Sequence, residues 1–180
     1  DRAIALHEAG ELDQALAIYH AVLAREPRHP AALHLLGVAL HQRGEHMAAL
    51  RSINAAILAD SGVALFHFNL GNVLTALNEP EAAASSFAAA TKLDPGRAAA
   101  WFNLAKAQMQ SAGAEHALAA FRQAWALDPA LPGLRFDYAA ALVTRAAHSD
   151  DDRACCEQAA ALLEGHWQNA DQPASARLTL

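Results

Sequence analysis

Histidines are the residues of this sequence with the clearest capacity for chemistry. The chain contains ten, and His7 and His41 share one position of an internal repeat, with His34 two helical turns before His41. Neutral imidazoles are good ligands for zinc and other transition metals. No HExxH motif or carboxylate triad accompanies these histidines, so we expect no metal site. Histidines at a binding surface would instead make binding weakly sensitive to pH near their ordinary pKa.

Nucleophiles and acid–base pairs give little support for catalysis. Cys155 and Cys156 are adjacent, a spacing at which a disulfide is strained, and we expect both to be buried in a helix rich in Ala and Leu. The acidic run 150–152 is explained by a helix start, where carboxylates are stabilised. The sequence has no glycine-rich phosphate loop and no GxSxG motif. We therefore expect a protein that is not an enzyme and needs no cofactor.

Phenylalanine and asparagine recur at a fixed spacing and are better candidates for a functional surface. An Asn carboxamide offers both a donor and an acceptor, so a spaced series can hold the backbone of an extended peptide whatever its sequence. Aromatic rings beside the carboxamides supply apolar area for peptide side chains. The alternative is that both series only reflect contacts between repeats. The candidate peptide-binding residues are Phe68, Asn69, Asn72, Phe102, Asn103, Lys106, Phe136 and Asp137.

The spacing of these residues follows the internal repeat, whose period of thirty-four is the difference between positions 15 and 49. Alanines recur at this period, and each is followed four positions later by a large side chain, in the pairs Ala15 and Tyr19, Ala49 and Ile53, Ala83 and Phe87, and Ala117 and Phe121. Several series in one register are the signature of a repeat architecture. The composition agrees with helices, because the chain has 48 Ala, only 9 Gly and 7 Pro, and 6% aromatic residues. An all-β or α/β fold is excluded by the scarcity of β-branched residues.

Each repeat contains two amphipathic segments separated by a short turn, which predicts pairs of helices. Gly44 suits a left-handed turn residue, and in the next repeat Asn78 is expected to cap the helix that begins at Pro80. Small residues on the first helices, including Gly37 and Gly71, should let the two helices of a pair cross closely. The predicted pairs are 1–10 with 12–25, 30–43 with 46–59, 63–77 with 80–92, and 97–111 with 114–127.

The repeat resembles the tetratricopeptide repeat (TPR). The resemblance covers about residues 1–147 and is carried by Phe68-Asn69-Leu70-Gly71 with Lys92-Leu93-Asp94-Pro95, and by Trp101-Phe102-Asn103-Leu104-Ala105 with Leu127-Asp128-Pro129. It implies an all-α, right-handed superhelical solenoid of antiparallel helix pairs. It also implies that the first helices line a concave groove, into which the Phe and Asn series and Lys106 point. We number the repeat positions so that position 5 is occupied by Phe68, Phe102 and Phe136. The Asn series then occupies position 6.

The pattern breaks after residue 147. We expect residues 1–147 to form four to five helix pairs, the first truncated, and residues 148–180 to form an irregular last helix with a cap or the start of a further element. A few inserted residues around 148–152 should precede a helix near 150–165, which should end at Gly165. Trp167 is expected to fold back onto the last pair. Both ends are expected to be cut from a longer chain.

These features predict a protein-interaction module that binds an extended peptide or a partner protein in its groove. The net charge of −6 and the near absence of cations among the groove positions argue against nucleic acid. No apolar run is long enough for a membrane span, and no signal peptide is visible, so a cytoplasmic location is expected. Self-association through exposed solenoid ends is a further possibility. The alternative function, implied by similarity to repeat arms of bacterial proteins related to O-linked N-acetylglucosamine transferase, sulfotransferases and oxygenases, is recruitment of substrate to a larger enzyme.

Overall fold

A computed structural model describes residues 2–147 and 153–170, without the side chains of residues 165–170. The regular secondary structure of this part of the chain consists of ten α-helices. They are α1 (Arg2–Glu8), α2 (Leu12–Arg25), α3 (Pro30–Gln42), α4 (His46–Ala59), α5 (Ala64–Ala76), α6 (Pro80–Leu93), α7 (Ala98–Ser111), α8 (Ala114–Leu127), α9 (Leu134–Ala146) and α10 (Arg153–Ala170).

The helices pack as consecutive antiparallel pairs within two compact units, residues 1–96 (unit 1) and residues 97–180 (unit 2). Unit 1 contains the pairs α1/α2, α3/α4 and α5/α6, and unit 2 contains α7/α8 and α9/α10. In unit 1, α2 also packs on α3 and α4 on α5, and in unit 2 α8 packs on α9, so each unit is a continuous stack. The predicted all-α solenoid of helix pairs is therefore confirmed.

Turn residues set the boundaries as the sequence predicts, with one change of role. Gly10 and Gly44 adopt positive φ angles of 80° and 83° between the two helices of their pairs. Asn78 takes the same place in the third repeat with φ 60°, so it is the left-handed turn residue rather than the cap of α6. The N-cap residue of α6 is Glu79, and Pro80 is the first helical residue.

Small residues allow the close helix crossing that the sequence predicts. A Cβ added at Gly71 would lie 2.5–2.7 Å from ring carbons of Phe87, and one added at Gly37 would collide with the side chain of Ile53. Phe87 and Ile53 are both buried. In these two repeats, the large residue four positions after the buried alanine therefore fills the space beside the glycine.

The last pair departs from the repeat. Among the described side chains of α10, Cys155 and Ala159 are the buried ones. They are four apart, as Ala117 and Phe121 are on α8, but lie four positions beyond the register of the repeat. This offset agrees with the predicted insertion, although residues 148–152 lie outside the described residues. The prediction that this helix ends at Gly165 is wrong, because α10 continues to Ala170.

Two further expectations on this segment have different outcomes. The predicted position of the Trp167 side chain and the tail 171–180 lie outside the described residues, and the boundary at residue 147 stays a prediction. The expectation that both cysteines are buried is wrong for one of them. Cys155 is buried and Cys156, the next residue along α10, is exposed.

Candidate functional site

The candidate residues lie on the first helices of the pairs, and we call the surface that they form the first-helix face of each unit. Unit 1 contributes Phe68, Asn69 and Asn72 from α5. In unit 2, α7 contributes Phe102, Asn103 and Lys106, and α9 contributes Phe136 and Asp137.

In unit 1, the two asparagines are joined by a hydrogen bond. The Nδ2 atom of Asn72 donates to Oδ1 of Asn69 at 3.4 Å, and Asn69 Nδ2 lies 2.8 Å from Nε2 of His34 on α3. Phe68 is partly buried, and its ring packs edge-on against Phe87 with centroids 5.8 Å apart. Asn69 and Asn72 therefore lie together on α5, and a side chain from the preceding repeat joins them.

His34 is a residue of this surface that the sequence reasoning missed as part of the position-5 series. It precedes Phe68 by one repeat period, so the repeat register alone could have found it. Its side chain is 5% exposed and stacks on Phe66 at a centroid distance of 4.6 Å. Burial, with a smaller effect from His7, lowers the pKa of His34 to about 4. The ring is therefore neutral at pH 7.

Three other histidines of unit 1, His7, His41 and His46, form side-chain hydrogen bonds. His7 lies 3.2 Å from the Tyr19 hydroxyl and 3.0 Å from Gln42 Oε1, which links α1 to α3. The Nδ1 atoms of His41 and His46 lie 3.0 Å apart, and burial followed by the His46 charge lowers the pKa of His41. Within the described part of the chain, no group of three or more His, Cys, Asp or Glu side chains is arranged to hold a metal ion.

In unit 2, the residues of α7 divide between the core and the surface. Phe102 is only 9% exposed and packs on Phe121, with ring centroids 6.2 Å apart. Lys106 is exposed, and its Nζ atom lies 5.4 Å above the Phe102 ring centroid, a cation–π arrangement. Asn103 is partly buried. The buried Phe102 ring thus contacts the ammonium group of the exposed Lys106.

On α9, the phenylalanine of the same series is exposed. Phe136 is 50% exposed and Val143, two turns later, is 53% exposed, with the partly buried Asp137 beside them. Phe102 packs on the ring of Phe121, whereas at the corresponding place on α10 stands Ala159, which offers a methyl group. Of these two phenylalanines of unit 2, Phe136 is the more exposed.

Three clefts lie away from these residues, one of them, of about 580 Å³, lined by residues 26–30 of unit 1. Another in unit 1 has a volume of about 480 Å³ and is lined by Pro27, Arg28, Leu33, Ala55, Leu58 and Ala59. One in unit 2, of about 460 Å³, is lined by residues 112–116 with Thr144 and Arg145. In the unit 2 cleft, Glu115 is paired with Arg145 at 3.1 Å, and His116 Nδ1 lies 3.0 Å from the backbone oxygen of Ala112, so the first-helix faces stay the stronger candidates.

None of the described helices combines the length and the apolar character that a bilayer span requires.

The structure defines a repeat protein made of stacked antiparallel helix pairs. Two family models described as tetratricopeptide repeat match the chain, one over residues 6–67 and the other over residues 43–98 and 68–132. The chain belongs to the tetratricopeptide repeat family, and the resemblance noted in the sequence is confirmed. No curated protein matches the chain in sequence.

Solved structures similar to this chain share its fold at low sequence identity. A crystal structure of MamA is 20% identical with a TM-score of 0.78, covering 93% of this chain and 98% of that one. MamA from Desulfovibrio magneticus RS-1 is 19% identical with a TM-score of 0.79, covering 94% and 93%. YrrB, described as a TPR protein with an unusual peptide-binding site, is 19% identical with a TM-score of 0.76, covering 92% and 84%.

Proposed function

We propose that this protein is a non-catalytic protein-interaction module that binds an extended peptide, or an extended segment of a partner protein, on its first-helix faces. The observation that carries the proposal is the exposure of Phe136 and Val143, 50% and 53%, on one side of α9. Residues seven apart on a helix share a face. A few well-packed side chains near the centre of an interface contribute most of the binding energy when a partner covers them.

The polar groups beside these side chains favour a peptide over a small apolar ligand. In unit 2, Lys106 and Asp137 place one charge of each sign on the same face as Phe136. In unit 1, the carboxamides of Asn69 and Asn72 offer donors and acceptors that suit peptide backbone groups. A sequence-tolerant ligand with a few apolar side chains fits both surfaces.

The family and one structural neighbour support the same proposal. Proteins of the family present the first helices toward a concave binding surface, and YrrB is described as having a peptide-binding site. The alternative function, a substrate-recruiting arm of a larger enzyme, would use the same surface. The experiment below therefore applies to both.

The test is selection of peptides from an unbiased display library with the wild-type chain, followed by affinity measurements on the enriched consensus peptide. Phe136→Ser tests unit 2 and Asn69→Ala tests unit 1. Leu58→Ser is the matched control, because Leu58 is 90% exposed but lies on the second helix α4. Circular dichroism checks that every variant is folded.

We expect Phe136→Ser to weaken binding of the consensus peptide about tenfold, the loss of one buried apolar anchor. Asn69→Ala should weaken it about threefold, and Leu58→Ser should leave it unchanged. Enrichment of no peptide by the wild-type chain would overturn the proposal. A loss with Leu58→Ser and none with Phe136→Ser or Asn69→Ala would move the binding site to the second helices.

A further inference from the structure

His34 interrupts the position-5 series of phenylalanines with a side chain that can accept a hydrogen bond. It lies on α3 and is buried, and its ring stacks on Phe66 of α5. Phe68, one repeat later, occupies the same repeat position without any polar atom in its side chain. The substitution of an imidazole for a phenyl ring therefore adds one polar contact to the first-helix face of unit 1.

The two hydrogen bonds that link Asn72, Asn69 and His34 run in the same direction, from donor to acceptor. The Nδ2 atom of Asn69 can only donate, so Nε2 of His34, 2.8 Å away, accepts, and the ring carries its proton on Nδ1. Asn72 donates to Oδ1 of Asn69 at 3.4 Å. The three side chains form the chain Asn72 to Asn69 to His34, from donor to acceptor throughout.

This chain leaves Asn69 with one N–H group and one oxygen lone pair that no described residue uses. Asn69 is partly buried, so these groups lie at the edge of the surface. One donor and one acceptor on a single side chain match the carbonyl and amide of one peptide unit. Their positions are fixed only as long as the carboxamide does not turn over.

We propose that His34 is a positioning residue for peptide binding: by accepting from Asn69, it holds the Asn69 carboxamide in the one orientation that binds a peptide backbone. This inference rests on the proposed function and deepens it. The ligand class is the backbone of an extended peptide, bound by unit 1 with little dependence on side-chain identity. His34 acts through Asn69 and does not itself need to contact the peptide.

The surroundings of His34 keep the ring neutral, as this role requires. Its pKa, lowered to about 4 by burial and then by His7 of α1, lies below the physiological range. His7 in turn contacts the Tyr19 hydroxyl of α2, and further along α3 the ring of His41 contacts His46 of α4. A protonated His34 would donate from Nε2 and force the Asn69 carboxamide to turn over.

Two substitutions separate positioning from packing. His34→Phe restores the residue of the position-5 series and keeps the stacking on Phe66, but it removes the acceptor. His34→Gln retains an acceptor oxygen. The probe is a fluorescein-labelled form of the consensus peptide enriched by the wild-type chain, measured at pH 7 and at pH 4.

We expect His34→Phe to weaken binding of this peptide about threefold to tenfold, the effect of one misplaced hydrogen-bonding group, and His34→Gln to bind within about twofold of wild type. Long-range ¹⁵N–¹H correlation on the wild-type ring should show the proton on Nδ1. Wild-type binding should weaken near pH 4, whereas binding by His34→Phe should change less between the two pH values.

An Nε2-protonated ring in the wild-type chain would overturn this inference. Equal binding by wild type and His34→Phe, or equal losses in both variants, would also overturn it while leaving the proposed function in place, provided that Asn69→Ala or Phe136→Ser still weakens binding. Absence of any peptide binding by the wild-type chain would overturn both proposals.

Discussion

Gln108 occupies a core position that is leucine in the neighbouring repeats, and replacing it with Leu should stabilise the protein. Leu40, Leu74 and Leu142 hold the same position in their own repeats and are 7%, 9% and 1% exposed. The Oε1 atom of Gln108 is buried and has no hydrogen-bond partner among the described residues. A buried polar group left unsatisfied costs about 1–3 kcal/mol.

The expected gain for Gln108→Leu is about 1–2 kcal/mol in the free energy of unfolding, because the leucine avoids that cost and adds apolar burial. Urea unfolding followed by circular dichroism measures it. Gln110→Leu is the matched control, since Gln110 is exposed on the same helix and its replacement should change stability by less than about 0.5 kcal/mol. A Gln108→Leu variant no more stable than the control would refute the reasoning that Oε1 is unsatisfied.

Three further predictions concern packing, pH and thiol chemistry. Gly71→Ala should destabilise the protein by about 1–3 kcal/mol, because the added Cβ would collide with the ring of Phe87. Gly62→Ala is the control and should not destabilise it, because the atom nearest to an added Cβ there is 3.4 Å away. Equal urea midpoints for the two variants would contradict this prediction. The pKa of His34 is about 4 in the folded protein and near 6.5 in the unfolded chain. The contribution of neutral His34 to the free energy of unfolding is therefore fully present above pH 6.5 and is lost as the pH drops toward 4. The loss should be about 2 kcal/mol between pH 7 and pH 5, and His34→Phe should show a correspondingly smaller loss in urea unfolding at the two pH values. With Ellman's reagent, the exposed Cys156 should react in the native protein and the buried Cys155 only after denaturation; two fast thiols would contradict the burial of Cys155.

The helix pairs could be predicted from the sequence because their determinants are local. The apolar period defines each helix, and a turn residue such as Gly44 or a proline such as Pro80 marks where it ends or begins. The bounds of α2, α4 and α8 coincide with the predicted ranges 12–25, 46–59 and 114–127. Gly165 shows the limit of this reasoning, since a glycine only permits a helix to end and α10 continues past it.

The candidate surface was harder to predict because its properties depend on contacts between repeats. Phe102 and Phe136 share a repeat position, yet the first is 9% and the second 50% exposed. The repeat position alone therefore does not fix the exposure of a side chain. Likewise, the contact of His34 with Asn69 joins residues 35 positions apart and depends on the rotamers of both side chains.

The residues with distinct effects on stability or binding are those at which the chain departs from its own repeat. Where the series keeps one residue type, as in Ala15, Ala49, Ala83 and Ala117, every member is fully buried and serves the same helix crossing. His34 in the phenylalanine series adds a hydrogen-bond acceptor, and Gln108 in the leucine series leaves an oxygen unsatisfied. In the same series as His34, Phe136 is half exposed where Phe102 is buried. Shared geometry supplies the scaffold, so differences in ligand binding between proteins of this architecture must come from such departures. For this chain, His34→Phe and Phe136→Ser are therefore the substitutions most expected to change binding without changing the fold.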